Sequence, residues 1–372
     1  MTPARAKVLL LIRELHLGGS ERQMTEIARG LDRSRFEPHA GCFKAEGIRG
    51  DELRAAGVPV VEFPVRSFIS ASAIQGARQL TRYIRRNDIR LVHTFDYPMT
   101  AFAIPVAKAA TRAVAVSSQR AHRELLPGIY ASLVPMTDRF ADAIVVNCEF
   151  LKRHLMEDYR VAAERIRLCY NGIDFERFHP GPSRRPEALS AGSLTVGVVC
   201  ALRPEKGLPT LLDAFAQVRT LDPALKLAIV GSGEMLPSLQ TRAAELGISD
   251  VCVFEPATQA VADWLRAIDI FVLPSLSEAL SNSLMEAMAC GCCAVASDTG
   301  GNPELIVSEE RGLLFERGNA DSLAAALRQL IENPSLRRQL ADNGARFLHE
   351  KFSLAAAARR MGDIYTELLE AR

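Results

Sequence analysis

Residues 179–202 read HPGPSRRPEALSAGSLTVGVVCAL. The first part, 179–193, holds three prolines and two glycines with little apolar periodicity, which marks a linker. The second part, LTVGVVCAL (194–202), is an apolar, β-branched run of strand length. Outward from this break the same alternation repeats on both sides. Before it stand VLLLI (8–12), HAGCF (39–43), VPVVEF (58–63), IRLVHTF (89–95), AVAVSS (113–118), AIVVN (143–147) and RIRLCY (165–170). After LTVGVVCAL come KLAIVGSG (226–233), VCVFE (251–255), DIFVLPS (269–275), CAVASD (293–298) and GLLF (312–315). Amphipathic stretches such as ERQMTEIARGL (21–31) and AIQGARQLTRYIRR (73–86) intervene. Runs that are apolar on both faces and joined by helices predict parallel sheets covered on both sides. The reading is therefore α/β, with two parallel-sheet domains and a boundary near Pro182. Residues 1–181 make the first domain and 182–352 the second. From Asp321 the chain reads as helical, broken near Pro334 and Ser353, and the last segment, 353–372, is expected to pack back on the first domain.

Composition narrows the function classes. The chain has 372 residues, 48% of them hydrophobic and 24% charged, which suits ordinary globular cores and argues against disorder. Forty-five Lys plus Arg against forty-four Asp plus Glu leave a net charge of +1, without the basic excess of a nucleic-acid binder. Several of the eight cysteines sit inside strand runs, and the cluster Cys290, Cys292, Cys293 lacks a second ligand pair, so no zinc site is expected. A reduced, cytoplasmic protein is the simplest reading. No segment reaches the length of a membrane span, and the N-terminal run is interrupted by Arg13 and Glu14.

Three motifs fall where parallel sheets place ligands, at the carboxyl ends of strands. The first strand leads into HLGGSER (16–22), where Gly18 and Gly19 open the next helix to close approach by a phosphate, or simply make a tight turn. CALRPEKG (200–207) puts Arg203 and Lys206 after the first strand of the second domain; they suit a diphosphate, or a solvated loop. In PSLSEALSNSLMEAMACG (274–291) a strand ends at Pro274, and a helix begins near Ser281 or Asn282. Glu278 lies in the loop and Glu286 in the helix's second turn, placed for sugar hydroxyls or, alternatively, completing a capping box with Ser283.

Taken together, Glu278-x7-Glu286 followed by AMACG, Arg203-x-x-Lys206-Gly207, Gly18-Gly19 and DTGGNPE (298–304) closely resemble the retaining glycosyltransferases of family four. The resemblance covers nearly the whole chain and is most specific in the second half. It implies the GT-B fold, two Rossmann-like domains facing across a cleft. It also implies a hexosyltransferase-type activity that takes a nucleotide-sugar such as a UDP- or GDP-sugar and needs no metal or further cofactor. The sequence contains no D-x-D. By the same resemblance Arg203 and Lys206 hold the donor diphosphate, Glu286 the ribose hydroxyls, and Glu278 the donor sugar. The amides of Asn282, Ser283 and Leu284 cap the phosphates, and Gly18 and Gly19 close over them from the acceptor-side domain.

This sequence departs from the family at three places. In VSSQRAH (116–122) Arg120 stands where relatives often carry a histidine, with His122 two residues on; either is a candidate for donor contact. Ala279 and Pro256 stand where glycines are common. His93, at a strand end, is another candidate, or a satisfied core histidine. The expected acceptor is a glycan or lipid-linked glycan of cell-surface or exopolysaccharide synthesis. Arg78, Arg82, Arg85 and Arg86 form one helical face, and the apolar segment from Leu125 to Met136 follows, a pairing suited to peripheral contact with the inner membrane surface. The alternatives are a non-catalytic nucleotide-sugar-binding partner and a sugar-nucleotide epimerase. The glycine fingerprint of a dehydrogenase is missing.

Overall fold

A computed structural model describes residues 5–182, 185–189 and 194–372. Every apolar run named above forms a strand. The first series comprises β1 (Ala6–Leu11), β2 (Phe36–Cys42), β3 (Val60–Glu62), β4 (Ile89–Thr94), β5 (Val114–Gln119), β6 (Ala143–Val146) and β7 (Ile166–Leu168). They pair in parallel in the order β3-β2-β1-β4-β5-β6-β7. The second comprises β8 (Thr195–Val199), β9 (Lys226–Val230), β10 (Cys252–Glu255), β11 (Ile270–Leu273), β12 (Cys293–Ser297) and β13 (Leu313–Phe315), ordered β10-β9-β8-β11-β12-β13. Each sheet thus reverses its winding between its first and fourth strands, which makes a crevice at the carboxyl ends of that pair.

The helices between β1 and β7 are α1 (Gly19–Gly30), α2 (Ile48–Ala55), α3 (Ala71–Arg86), α4 (Tyr97–Ala110), α5 (Tyr130–Asp138) and α6 (Glu149–Glu157). The later ones are α7 (Leu208–Val218), α8 (Leu236–Glu245), α9 (Val261–Ala267), α10 (Asn282–Ala289), α11 (Asn302–Leu305), α12 (Ala320–Glu332), α13 (Pro334–Lys351) and α14 (Leu354–Glu370). The chain divides into two compact units, one running to Gly172 and resuming at Leu354, the other spanning Ile173–Ser353.

The compact units thus divide at Gly172, ten residues before Pro182. Hydrogen bonding gives the reason. Ile173 N donates to Phe352 O at 2.7 Å, and the Arg266 guanidinium donates to the carbonyls of Arg177 and His179. These bonds tie residues 173–179 to the second unit before the prolines begin.

The first sheet is buried on both faces. Val8 and Leu10 of β1 pack with Met24, Ile27, Met361 and Tyr365, while Leu9 and Leu11 pack with Leu80, Ile84, Met99 and Phe102. Helix α14 thereby fills one of the first unit's two layers. His93 at the end of β4 is fully buried there, with Nδ1 2.7 Å from the Tyr365 hydroxyl and Nε2 2.8 Å from Ser118 Oγ. Burial lowers its pKa well below the usual histidine value. It is a satisfied core histidine, not a group offered to a ligand.

Candidate functional site

The crevice of the second sheet gathers the sequence motifs. Strand β8 runs into a 3-10 turn, Pro204–Lys206, and β11 into the loop before α10. The two meet: Leu276 N donates to Glu205 O at 2.8 Å, and Lys206 Nζ lies 2.6 Å from Glu278 Oε2. Ser275 Oγ donates to the same carboxylate oxygen at 3.2 Å. Gly207 makes this approach possible. Its φ is +61°, and a Cβ there would stand 2.1 Å from the Pro274 carbonyl oxygen. From the other side Gly300, also at positive φ, brings the loop after β12 against Glu278; a Cβ would lie 1.9 Å from the Glu278 carbonyl oxygen.

Lys206 and Glu278 are largely buried, with side chains 19% and 13% exposed. Burial on its own would lower the lysine's pKa, but the carboxylate beside it more than compensates and holds the ammonium above its ordinary value. A charged pair is thus kept ready in a low-dielectric crevice. Arg203 stands on the same turn but is not part of the pair. Its side chain is 65% exposed and approaches Glu205, at 3.9 Å.

Helix α10 starts where the sequence places it, with Ser281 as N-cap. Ser281 Oγ accepts from Leu284 N at 3.3 Å, so the Leu284 amide expected to face phosphate is engaged within the helix. The amides of Asn282 and Ser283 belong to the first turn, which lacks preceding helical carbonyls. Glu286 is buried on the second turn. With the cap at Ser281, the capping-box position falls on Leu284, so Glu286 is not explained as a capping residue.

In the first unit, Gly18 is the N-cap of α1 and Gly19 its first residue. The Glu21 carboxylate stands over them: its Oε2 lies 2.0 Å from where a Gly18 Cβ would sit. Arg120 follows β5, half-buried. Its Nη1 donates to Asn171 Oδ1 at 2.8 Å and its guanidinium lies 5.0 Å from the Phe95 ring. Among the described residues it has no carboxylate partner, its Nε is unpaired, and burial pushes its pKa down to about 10. His122 is placed otherwise than expected. Its ring stacks on His154 at 3.9 Å and on Phe150 at 5.7 Å, so it packs toward α6 instead of standing free for a sugar.

Residues the motif reading overlooked lie at the first sheet's crevice. Asp96 is the N-cap of α4; its Oδ1 accepts from Met99 N at 2.9 Å and its Oδ2 from Arg13 N at 2.7 Å. The Asp-Tyr-Pro order at 96–98, a cap residue followed by an early proline, was the available signal. An open groove of about 990 Å³ lies at the opposite, amino-terminal edge of this sheet, lined by Arg85, Arg90, Lys108, Arg112 and Arg372. Arg85 and Arg372 there donate to the carbonyls of Ala110 and Arg112, a helix-end role remote from the strand ends that hold the motifs. Among the described residues no group of three or more His, Cys, Asp or Glu is arranged to hold a metal ion, and no helix is long and apolar enough to cross a membrane.

Two family models match in tandem. Glycosyltransferase Family 4 covers residues 17–177, and Glycosyl transferases group 1 covers residues 182–347. The D-inositol 3-phosphate glycosyltransferase of Streptomyces bingchenggensis is 32% identical over 244 residues, 62% of this chain and 53% of that protein. Its counterpart from Saccharomonospora viridis is 33% identical over 245 residues, 62% and 57% of the two chains. This chain spans about half the length of those curated relatives. Among solved structures, Anabaena Alr3699/HepE in complex with UDP and glucose superposes with a TM-score of 0.84 at 21% identity, over 97% of this chain and 100% of that one. The apo lipopolysaccharide outer core galactosyltransferase WaaB gives 0.77 at 17%, over 97% and 99%. With its two sheets wound alike and a family match on each half, the chain belongs to glycosyltransferase family four and has the GT-B fold.

Proposed function

We propose that this protein transfers a hexose from a nucleotide-sugar to a glycan or lipid-linked glycan, with retention at the anomeric carbon. The observation that carries the reading is the Lys206–Glu278 pair at the switch point of the second sheet. Breaking the anomeric C–O bond builds negative charge on the departing diphosphate and positive charge on the sugar. A buried ammonium and a nearby carboxylate match those two charges. On binding, the diphosphate would take the ammonium from Glu278, which then meets the sugar's hydroxyls. Arg203, exposed on the same turn, would fold onto the phosphates, and the amides of Asn282 and Ser283 would cap them. Glu286 would hold the ribose. Within the first unit, Arg120 has no carboxylate partner among the described residues, and Gly18 and Gly19 open the start of α1; both are candidates for anion contact in that unit.

The UDP and glucose bound by the Anabaena protein make UDP-hexoses the first donors to try. Peripheral membrane contact belongs to the same proposal. Arg78, Arg82 and Arg86 are exposed along α3, and Ile69, Ile74, Ile129 and Met136 are exposed on the same unit. Such an enzyme would work at the cytoplasmic face, where nucleotide-sugars are made. A thermal-shift screen against UDP-, GDP- and ADP-sugars tests the donor reading, since a ligand stabilises the fold in proportion to affinity and concentration. Stabilisation by one class, followed by transfer that survives EDTA, is expected. No stabilisation by any nucleotide-sugar would refute the proposal.

A further inference from the structure

We propose that Arg120 and Asn147 form an anion pocket within the first unit, which holds a phosphate or carboxylate group carried by the acceptor. This rests on the transferase reading above and names the chemical class of the substrate which that reading leaves open.

The sheet itself brings the two residues together. Strands β5 and β6 pair in parallel with Gln119 beside Val146, so Arg120 and Asn147 are the next residues along, neighbours at the carboxyl edge. Beyond β7, the next strand of the sheet, Asn171 joins them. Two polar groups at this edge lack partners. Arg120 Nη1 donates to Asn171 Oδ1 at 2.8 Å, but Arg120 Nε is buried and unpaired. Asn147 is 2% exposed, and its Oδ1 is buried and unpaired as well. Buried polar groups are nearly always satisfied, so two orphans at neighbouring positions of one strand edge mark a place for a bound group. Arg120 is half-buried as a residue, which leaves that place a way to solvent. The Asn147 carboxamide can turn either its oxygen or its NH2 to a ligand.

Charge decides what that group is. The titratable groups acting on Arg120 are Cys169 and Tyr365. Burial pushes the thiol up to about 11 and the phenol well above its usual value, so both are neutral. His93 is neutral too, because burial and then the Arg120 charge lower its pKa. Asp138, the buried acid that β5 contacts, is taken by Arg123, Ser117 and Gln119. The Phe95 ring, 5.0 Å from the guanidinium, offsets part of the desolvation but supplies no counter-ion. A desolvated cation left without an anion is costly, and an oxyanion that accepts from guanidinium and carboxamide N–H groups relieves that cost. In the donor reading the diphosphate meets Lys206, Arg203 and the α10 amides, all on the second unit. The cation of the first unit is left for the other substrate.

The test measures binding of methyl glucoside 6-phosphate and methyl glucuronide against neutral methyl glucoside. Calorimetry is run on the full chain at constant ionic strength, with and without a saturating amount of the nucleotide selected by the thermal screen. A charged probe should bind at least tenfold tighter than the neutral one. Arg120→Gln should remove that preference, and Arg120→Lys should keep part of it. Asn147→Asp gives an independent reading. A carboxylate beside the lone guanidinium should abolish the preference and also raise Tm, because the chain then supplies its own counter-ion; a merely structural asparagine would show neither effect. Equal affinities in the wild type would overturn the inference and leave the unpaired groups bridged by water only. So would an Asn147→Asp variant that keeps the preference or melts below the wild type. Nucleotide sorts out the two levels. If it displaces the charged probe, the anion belongs to the donor and the acceptor assignment fails. If charged probes bind but no nucleotide does, the pocket stands and the underlying transferase reading fails.

Discussion

Replacing Lys206 with alanine isolates the step on which transfer depends. In the resting site the ammonium is held 2.6 Å from Glu278 in a crevice that leaves it 19% exposed. When a diphosphate leaves, it gains negative charge at close range to that ammonium. Two unit charges about 4 Å apart interact by about 4 kcal/mol at an effective dielectric near 20. Part of this acts on the bound donor as well as the transition state, so about 3 kcal/mol is expected on the barrier, in line with removal of a single charge-stabilising donor. That is a fall in kcat of roughly two orders of magnitude. The assay is initial-rate nucleotide release in the presence of acceptor, with donor affinity measured separately by calorimetry. Because alanine also leaves Glu278 without its cation, the double variant Lys206→Ala/Glu278→Gln is the control. If the loss comes from the missing ammonium, the second substitution will not restore turnover. A kcat within threefold of wild type for Lys206→Ala would refute the assignment.

Other expectations follow from the same geometry. Glu286→Ala should weaken donor binding about tenfold or more by calorimetry, with a smaller effect on kcat; unchanged affinity would remove it from the ribose site. Gly207→Ala forces a Cβ toward the Pro274 carbonyl at positive φ, and should cost about 1–3 kcal/mol in denaturant unfolding while spreading the Lys206 and Glu278 loops. Stability equal to wild type would show that the loops are not held this tightly. Asp96, whose carboxyl rises from 3.8 to about 6 on folding, favours the protonated folded state. Its contribution is therefore present below pH 4 and is lost as the pH climbs through 6. Asp96→Asn abolishes that titration, although its NH2 cannot accept from Arg13 N, so its stability should fall less between pH 4 and pH 8 than the wild type's, by at most the equivalent of about 3 kcal/mol. An equal fall in both proteins would contradict the burial argument.

The fold could be read from the sequence because strands buried on both faces are apolar along most of their length, with most of the few buried polar residues toward their carboxyl ends. AVAVSS and CAVASD announce themselves as β5 and β12 by composition alone. Where a strand is marginal the reading overshoots. VPVVEF yields only Val60–Glu62, since Pro59 has no N–H for the ladder and Val60 begins the pairing with Ala40. The compact units divide at Gly172, before the prolines, for a different reason. Prolines report local backbone preference, whereas the crossing is decided by long-range bonds such as Ile173 N to Phe352 O. At the site, Glu278 and Lys206 were visible as motif positions. Their direct pairing across 72 residues was not, nor was the Glu21 carboxylate over Gly18. His122 illustrates the limit: its partners, His154 and Phe150, lie about thirty residues away on another helix, and no local pattern links them.

The return of α14 to the first unit has a consequence for biosynthesis. Residues 173–353 form a continuous unit and can finish packing while the remaining tail is still emerging from the ribosome. The amino-terminal half cannot, because one face of its sheet waits for Met361, Ile364 and Tyr365, and His93 waits for the Tyr365 hydroxyl. The usual order, in which the earlier domain matures first, is therefore inverted. During that interval a bare apolar face built from Leu10, Met24 and Ile27 is exposed to chaperones and proteases, and nascent chains interrupted before position 354 should be cleared, not stored.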